Sequence, residues 1–178
     1  MKRLNTNPDI ITRQLKQNKF FPNSELPLLI YKTALSLPDQ KNKAADIVQK
    51  TFLRNNWGNT WRNGIYPFHH YHSNTHECLG ISSGEARVIF GGPGRKSITV
   101  NAGDVIIIPA GAAHMCVESS ENFECIGAYP QAKNYDIYRG ENEEELGKSQ
   151  SRISKVALPQ LDPVFGKEGF LKSYWRKE

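Results

Sequence analysis

The sequence predicts a mainly β protein: one small sandwich or barrel with a helical extension at its N-terminus. Between Gly64 and Pro130, short β-rich runs alternate with glycine-containing turns at regular spacing, which is typical of all-β sandwiches and barrels. No helical period interrupts these runs, so a parallel α/β sheet is not expected. The 178 residues fit one domain with a single core. We divide the chain into an N-terminal extension (1–63), a barrel core (64–130) and a C-terminal extension (131–178) that packs on the barrel or on a dimer partner.

The first part of the N-terminal extension predicts one helix and one strand. Asp9 can cap a short helix that reaches about Lys19, because an aspartate oxygen accepts bonds from the first free N–H groups of a helix. Residues 26–31, Leu-Pro-Leu-Leu-Ile-Tyr, predict a strand. Pro27 places this strand at a sheet edge or at a strand start, since proline has no N–H to donate to a ladder.

The clearest helix is predicted over residues 39–55, with Asp39 as its cap. Two tryptophans, Trp57 and Trp61, follow it. We expect both to pack the helix on the domain, and the alternative is a lid over a ligand site. The apolar stripe of the helix recurs at a spacing of three and four residues. Its members are Ala44, Ile47, Val48, Thr51 and Phe52.

The barrel core predicts six strands separated by turns. Gly64, Gly84, Gly103 and Gly111 are assigned to the turns, where glycine tolerates positive φ, and Pro109 ends a strand at a fixed φ. The predicted strands cover residues 78–82, 85–90, 97–100, 105–108, 114–118 and 123–129.

The C-terminal extension is less regular. An acidic run at 141–145 predicts a solvated turn or a short helix, and residues 156–166 are expected to lie extended along the barrel. The tail from Gly169 carries several large apolar side chains, enough to dock on another surface such as a second subunit. We therefore expect a homodimer. The apolar residues of the tail are Phe170, Leu171, Tyr174 and Trp175.

Composition argues against several classes of function. The net charge is +5, but the basic residues are scattered and no nucleic-acid-binding motif is recognisable, so a nucleic-acid partner is not expected. No apolar run approaches the roughly 20 residues of a membrane span. The basic N-terminus lacks the apolar core of a signal peptide, so we expect a cytoplasmic protein without a membrane partner. Three cysteines are too few for a disulfide framework and are expected to be reduced core residues.

Histidines are concentrated at one point of the chain. Four of the five lie within residues 69–76, and a glutamate follows directly. His70 and His72 are two residues apart, so a strand would place both imidazoles on one face, and Glu77 can return to that face through a turn or bulge. The fifth histidine, His114, begins a strand after a Pro-x-Gly turn. Side chains from three strands converge in this way only if the sheet is closed or nearly so.

Convergence of these four side chains predicts a metal site. Three neutral imidazoles and one carboxylate suit a divalent first-row ion, namely Fe, Mn, Ni, Co or Zn, whereas calcium and magnesium need more oxygen ligands. An octahedral ion would keep two open positions, and open positions are typical of a catalytic site rather than a closed structural one.

The spacing of these residues resembles the two motifs of the cupin superfamily. In the first, G(X)5HXH(X)3,4E(X)6G, the marked positions are Gly64, His70, His72, Glu77 and Gly84. In the second, G(X)5PXG(X)2H(X)3N, they are Gly103, Pro109, Gly111 and His114, and Glu118 replaces the family's Asn. That last position is not a ligand in the family, so the departure does not affect the expected metal site.

Longer stretches resemble the bacterial YjlB-type cupins over nearly the whole chain, including residues 67–77, 108–111 and 127–130. This resemblance implies a single cupin jelly-roll β-barrel with an N-terminal helical extension, frequently dimeric. It does not imply a particular reaction.

Two further histidines lie next to these ligands in the sequence. His76 competes with Glu77, because the family motif tolerates three or four residues between His72 and the acidic position, but the six residues between Glu77 and Gly84 favour Glu77. His76 is then expected at the surface or behind the ligands. His69 neighbours His70 and is expected to point to the opposite face.

The sequence suggests three weak candidates for catalysis. Arg87 lies in an apolar strand and is expected to face solvent, although an inward Arg87 could bind a carboxylate. Tyr66 and Tyr129 could act as acids or bases, but packing is their more common role. We interpret the chain as a metal-dependent enzyme acting on a small molecule, of the dioxygenase, isomerase or lyase class. The alternative is a non-catalytic protein that binds or senses a small carbohydrate or carboxylate.

Overall fold

A computed structural model describes residues 4–176; residues 1–3, the basic start of the chain, and residues 177–178 lie outside that range. The described chain contains nine strands and three helices. In chain order these are β1 (Asp9–Leu15), β2 (Ser24–Lys32), α1 (Lys41–Arg54), β3 (Trp57–Asn63), β4 (Glu77–Ser83), β5 (Glu85–Phe90), β6 (Ser97–Asn101), β7 (Val105–Ile108), β8 (His114–Ser119), β9 (Glu124–Pro130), α2 (Glu143–Ile153) and α3 (Leu171–Tyr174).

The strands form two antiparallel sheets. The large sheet has the order β1-β2-β7-β4-β9-β3, and the small sheet has the order β6-β5-β8. The predicted mainly β jelly roll with a helix near its N-terminus is thereby confirmed. The six strands predicted for the barrel core correspond to β4–β9 within one residue at each end.

Apolar side chains cover both faces of the large sheet, and strand alternation separates them into two layers. Leu79, Ile106 and Ile108 lie in the layer between the two sheets. Cys78 and Ile107, from the same strands, lie in the layer formed with α1 and the C-terminal tail. Because both faces of β7 are buried, its four residues form an unbroken apolar run.

The N-terminal residues differ from the prediction. The helix expected from Asp9 is wrong: this segment is β1, whose ladder with β2 runs from Asp9 opposite Lys32 to Leu15 opposite Ser24. Pairing with β2 satisfies the backbone groups that a helix would have satisfied internally, so tertiary context overrides the local capping signal. Strands β1–β3 are part of the large sheet, which therefore begins before Gly64.

Two smaller details of this region also differ. Strand β2 lies between β1 and β7 rather than at an edge, and Pro27 is tolerated because pairing with β7 begins only at Leu29. Helix α1 begins after Gln40 rather than Asp39, and the Gln40 side chain makes no capping bond.

The C-terminal residues fold back over the barrel. The acidic run opens helix α2, whose N-cap Asn142 accepts a hydrogen bond from the backbone N–H of Glu145 at 2.9 Å. Leu171 and Trp175 of the tail are buried in the layer that covers the large sheet of the same chain. Between residues 4 and 176, none of the helices has the length and apolar character needed to cross a bilayer.

Candidate metal centre

The structure brings together three of the histidines. One ring nitrogen each of His70, His72 and His114 lies within 4.8 Å of those of the other two. Glu77 lies against this group at the start of β4, on the same face of the strand as Leu79, so its side chain points between the sheets. All four side chains are at most 4% exposed. We refer to these four residues as the His3Glu cluster.

The segment that carries His70 and His72 is not the regular strand predicted from their spacing. Outside the named strands, His70 makes an isolated bridge with His114: the His70 N–H donates to the His114 carbonyl at 3.2 Å, and the reverse bond is 2.9 Å. The His72 carbonyl accepts from the N–H of Gly111 at 2.8 Å. These bonds tie the histidine segment to the Pro109–Gly111 turn and to the start of β8.

Backbone carbonyls orient all three imidazoles of the cluster. His70 Nδ1 lies 3.1 Å from the Phe68 carbonyl, and His114 Nδ1 lies 3.1 Å from the Ala112 carbonyl. His72 Nδ1 lies 2.5 Å from the Asp136 carbonyl. A carbonyl can only accept, so this network assigns the proton to Nδ1 and leaves the Nε2 lone pair of each ring for the cluster interior. This is the tautomer and orientation that a metal-binding histidine needs.

Glu77 is held by two sets of contacts. Its Oε2 lies 3.3 Å from His72 Nε2 and 3.2 Å from His114 Nε2. Its Oε1 accepts a hydrogen bond of 2.8 Å from the Tyr129 hydroxyl, which in turn accepts one of 2.9 Å from Trp61 Nε1. One carboxylate oxygen is therefore fixed by the chain from Trp61, and the other faces the imidazoles.

The ionisation of Glu77 and His70 suits metal binding. Burial alone would raise the pKa of Glu77, but the neighbouring imidazoles of His72 and His114 outweigh it and hold that pKa below its usual range. Burial and the proximity of His114 lower the pKa of His70 to about 3. Burial acts to lower the pKa of His72, but Glu77 outweighs it and raises that pKa. At neutral pH, Glu77 is therefore charged and His70 is neutral.

The donor atoms fit a divalent cation. His72 Nε2 and Glu77 Oε2 are buried, and neither finds a hydrogen-bond partner among residues 4–176. With the His72 proton on Nδ1, two lone pairs face each other in a buried site, which is costly unless a cation lies between them. Three imidazoles and one carboxylate are a donor set that suits divalent first-row transition metals.

A cavity of about 150 Å³ opens on the cluster. Aromatic side chains, including Tyr66, Tyr129 and Tyr135, form much of its wall. The full lining is Trp61, Arg62, Asn63, Gly64, Ile65, Tyr66, His70, His72, Glu77, Leu79, His114, Tyr129 and Tyr135.

The two tryptophans that follow helix α1 lie in different parts of the structure. Trp57 is 1% exposed in the apolar layer, and its Nε1 donates to the Leu161 carbonyl at 2.9 Å. Trp61 lines the cavity and lies over Gly127, where an added Cβ would stand 2.1 Å from the indole ring. Trp57 therefore packs in the core, as expected, whereas Trp61 lines the cavity.

Several candidate residues lie outside the cluster. Arg87 is not part of the cavity wall; its guanidinium is exposed and donates to Glu118 at 2.6 and 3.0 Å. His76 is buried behind the cluster, where its Nδ1 accepts from the Ala110 N–H at 2.9 Å. His69 packs edge-on against Phe21 with ring centroids 5.7 Å apart.

Sequence reasoning missed Tyr135 and Asp136, which contact the cluster from the C-terminal extension. Tyr135 stacks on Tyr129 with centroids 4.6 Å apart and lies edge-on to His72 at 5.1 Å. The surrounding residues 131–142 carry no periodic pattern and no metal-ligand spacing, so the sequence alone contained no signal for them.

Comparison with known proteins identifies the family. Residues 49–143, more than half of the chain, match the family described as Cupin. The chain belongs to the cupin family. This cupin is also 37% identical over 169 residues to the uncharacterised protein YjlB of Bacillus subtilis (strain 168), covering 90% of this chain and 97% of YjlB. The resemblance to YjlB-type cupins is thereby confirmed.

Solved structures show weaker likeness to this cupin. Acireductone dioxygenase from Bacillus anthracis, described with a cadmium ion in its active centre, is 15% identical at a TM-score of 0.38, covering 57% of this chain and 76% of that one. Procruciferin, an 11S globulin from Brassica napus, is 18% identical at a TM-score of 0.37, and the match spans 56% of this chain but only 31% of procruciferin. At these scores the likenesses assign neither a site nor a reaction.

Proposed function

We propose that this cupin binds one divalent first-row transition metal through His70, His72, Glu77 and His114 and acts as an enzyme on a small molecule. The observation that carries the proposal is the convergence of His70, His72 and His114 at one buried point beside the Glu77 carboxylate, with each Nδ1 occupied by a backbone carbonyl. Iron, manganese, nickel, cobalt and zinc all suit this donor set.

The cavity supports a small substrate. Its volume of about 150 Å³ lies below the roughly 300–1,000 Å³ of pockets that bury drug-sized ligands. Three tyrosines and Trp61 supply flat apolar surface with hydroxyl groups at its edges. A bound ion would supply Lewis-acid or redox chemistry at the cluster end of this cavity. Dioxygenase, isomerase and lyase chemistry are all compatible with that arrangement.

One observation favours the second candidate, a non-catalytic protein that binds or senses a small molecule. Burial, together with the nearby Glu77 carboxylate, raises the pKa of Tyr129, and burial raises the pKa of Tyr135. Both hydroxyls therefore stay protonated at neutral pH and do not act as bases, and the Tyr129 proton is already donated to Glu77 Oε1 at 2.8 Å. A cavity whose tyrosines offer no ready base suits recognition as well as catalysis.

The metal content of the protein tests the metal site, which the enzyme and the binding protein have in common. We would purify the protein without oxygen and measure its metals by elemental analysis in the wild type, His72→Ala and His69→Ala. The wild type and His69→Ala should each hold about one equivalent of a transition metal, because His69 is an adjacent histidine outside the cluster. His72→Ala should lose most of it. Full metal content in single alanine variants of all four cluster residues would overturn the site.

Turnover separates the enzyme from the binder. The metal-loaded protein would be screened for oxygen uptake and for conversion of small carboxylates and sugars, with His72→Ala as the matched control. Consumption that depends on His72 supports the enzyme. Saturable binding of the same compounds without conversion supports the binding protein.

A further inference from the structure

We infer that Asp136, which is distant from His72 in sequence but in contact with it, is a positioning residue that fixes the metal-binding orientation of His72. This inference rests on the proposed metal site. It assigns a role to residues Asn134–Tyr138, which we call the strap and which lie beyond the last strand of the barrel.

His72 differs from the other cluster histidines in the source of its Nδ1 acceptor. For His70 and His114, the accepting carbonyl lies two residues earlier in the same segment. For His72, the carbonyl belongs to Asp136, which is 64 residues away in sequence. The local backbone can therefore orient His70 and His114, whereas the orientation of His72 depends on docking of the strap.

Asp136 is joined to the histidine segment through its backbone and its side chain. Its two carboxylate oxygens accept from the N–H of Ser73 at 2.6 Å and from the hydroxyl of Ser73 at 2.5 Å. Its own N–H donates to Asn74 Oδ1 at 3.2 Å. With the Asp136 carbonyl on His72, three consecutive residues of the histidine segment are held by one aspartate. Charge-assisted bonds of this kind are about twice as strong as neutral ones.

The rest of the strap strengthens the same contact. Tyr71 and Tyr138 exchange two backbone hydrogen bonds, each 3.0 Å long. Asn74 Nδ2 donates to the Asn134 carbonyl at 3.2 Å. His72 itself belongs to no named strand, and the Gly111 N–H binds its carbonyl at 2.8 Å. The strap therefore supports the imidazole of His72 where no strand does, and through Tyr135 it also forms part of the cavity wall.

Two measurable consequences follow. Loss of the Asp136 side chain should free the carbonyl that orients His72, and metal affinity should fall about 10–100-fold, the usual effect of removing a group that orients a metal ligand. By linkage, metal binding should also stabilise the strap, because metal and strap favour the same position of His72.

The test compares Asp136→Ala with Asp104→Ala in metal titrations of the full chain with Co²⁺ and Zn²⁺. Asp104 is a fair control because its carboxylate also binds backbone N–H groups, of Thr33 and Asn101 at 2.8 Å each, but at the end of β7 away from the Pro109 turn. We expect weaker metal binding in Asp136→Ala and wild-type affinity in Asp104→Ala. In a His72→Ala background, Asp136→Ala should cause no further loss, because its effect acts through His72.

A milder variant and a second measurement keep the test decisive if Asp136→Ala folds poorly. Ser73→Ala removes one of the two side-chain bonds and should weaken metal binding in the same direction. Hydrogen exchange at residues 134–138 should slow when Zn²⁺ is added. Unchanged affinity in both variants, or unchanged exchange at the strap in a wild type that binds metal, overturns the inference alone. A wild type that binds no metal overturns the proposed function as well.

Discussion

Glu77 links the imidazoles of the cluster to the aromatic wall of the cavity. Its Oε2 faces His72 and His114, and its Oε1 is held by the Tyr129 hydroxyl at 2.8 Å. A carboxylate fixed in this way presents one oxygen to the imidazoles instead of rotating freely. The hydrogen bond from Trp61 to Tyr129 extends the same constraint to the cavity wall.

Replacing Tyr129 with phenylalanine should therefore weaken metal binding. The change removes the donor to Glu77 Oε1 and leaves a buried, charged acceptor unpaired, so we expect an affinity loss of about tenfold or more. Metal titration measures it. Tyr31→Phe is the matched control: Tyr31 is also fully buried and also donates to a carboxylate, Asp162, at 2.8 Å. Equal metal affinity in the two variants would contradict this role of Tyr129.

Glu118, the single departure from the family motifs, is a surface feature. It stands opposite Arg87 in the pairing of β5 with β8, and the two exposed side chains form an ion pair. Exposed pairs of this kind contribute little to stability. Arg87 lies outside the cavity because strand alternation turns it outward, between the buried Ala86 and Val88.

At the scale of the elements, two glycines lie in the neighbouring strands β4 and β9 that position the site. Gly80 of β4 faces α1, where an added Cβ would lie 2.4 Å from Val48. Gly127 of the neighbouring strand β9 faces the other side of the large sheet, where Trp61 occupies its space. These two glycines let the helix and the cavity wall approach the same sheet from opposite faces.

The two glycines offer a paired prediction. Gly80→Ala and Gly127→Ala should each destabilise the protein by about 1–3 kcal/mol, the usual cost of overpacking. Only Gly127→Ala should displace Trp61 and change both the tryptophan fluorescence and the binding of small molecules in the cavity. Urea unfolding and fluorescence spectra measure these effects. The prediction fails if Gly80→Ala perturbs the cavity as strongly as Gly127→Ala does.

At the scale of the whole molecule, the C-terminal tail completes the fold. Asp162 accepts bonds from the Tyr31 hydroxyl and from the backbone N–H groups of Val164, Phe165 and Leu171. The tail thus docks on its own large sheet and buries Leu171 and Trp175, two of the four apolar residues from which a dimer was expected, whereas Tyr174 is 40% exposed. The homodimer stays a prediction, and the buried part of this surface does not support it.

The contact of Tyr31 with Asp162 predicts a loss of stability in alkali. Burial and the Asp162 carboxylate raise the pKa of Tyr31 above its ordinary value of 10. The unfolded chain then releases the Tyr31 proton near pH 10, while the folded protein keeps it. The contribution of Tyr31 to the free energy of unfolding is therefore complete below pH 10 and is lost as pH rises above it. Between about pH 10 and 11, the free energy of unfolding should fall more steeply in the wild type than in Tyr31→Phe, by up to about 1.4 kcal/mol per pH unit. Urea unfolding at several pH values measures the slopes, and parallel slopes would refute the assignment.

The sequence by itself determined the strands of the barrel core and the choice of His70, His72, Glu77 and His114 as candidate ligands. Both depend on local regularities: alternation along a strand, turn residues between strands, and fixed spacing between polar groups. These regularities survive folding because the backbone imposes them over a few residues.

The tertiary structure decided the rest. Strand β1 forms because β2 offers a ladder, and the cavity wall depends on Trp61 lying over Gly127. The orientation of His72 depends on Asp136, which is 64 residues away in sequence. Contacts between residues so far apart leave no periodic signal in the chain, since each one exists only after separate segments have packed together. The histidine cluster could therefore be read from the sequence, but its support could not.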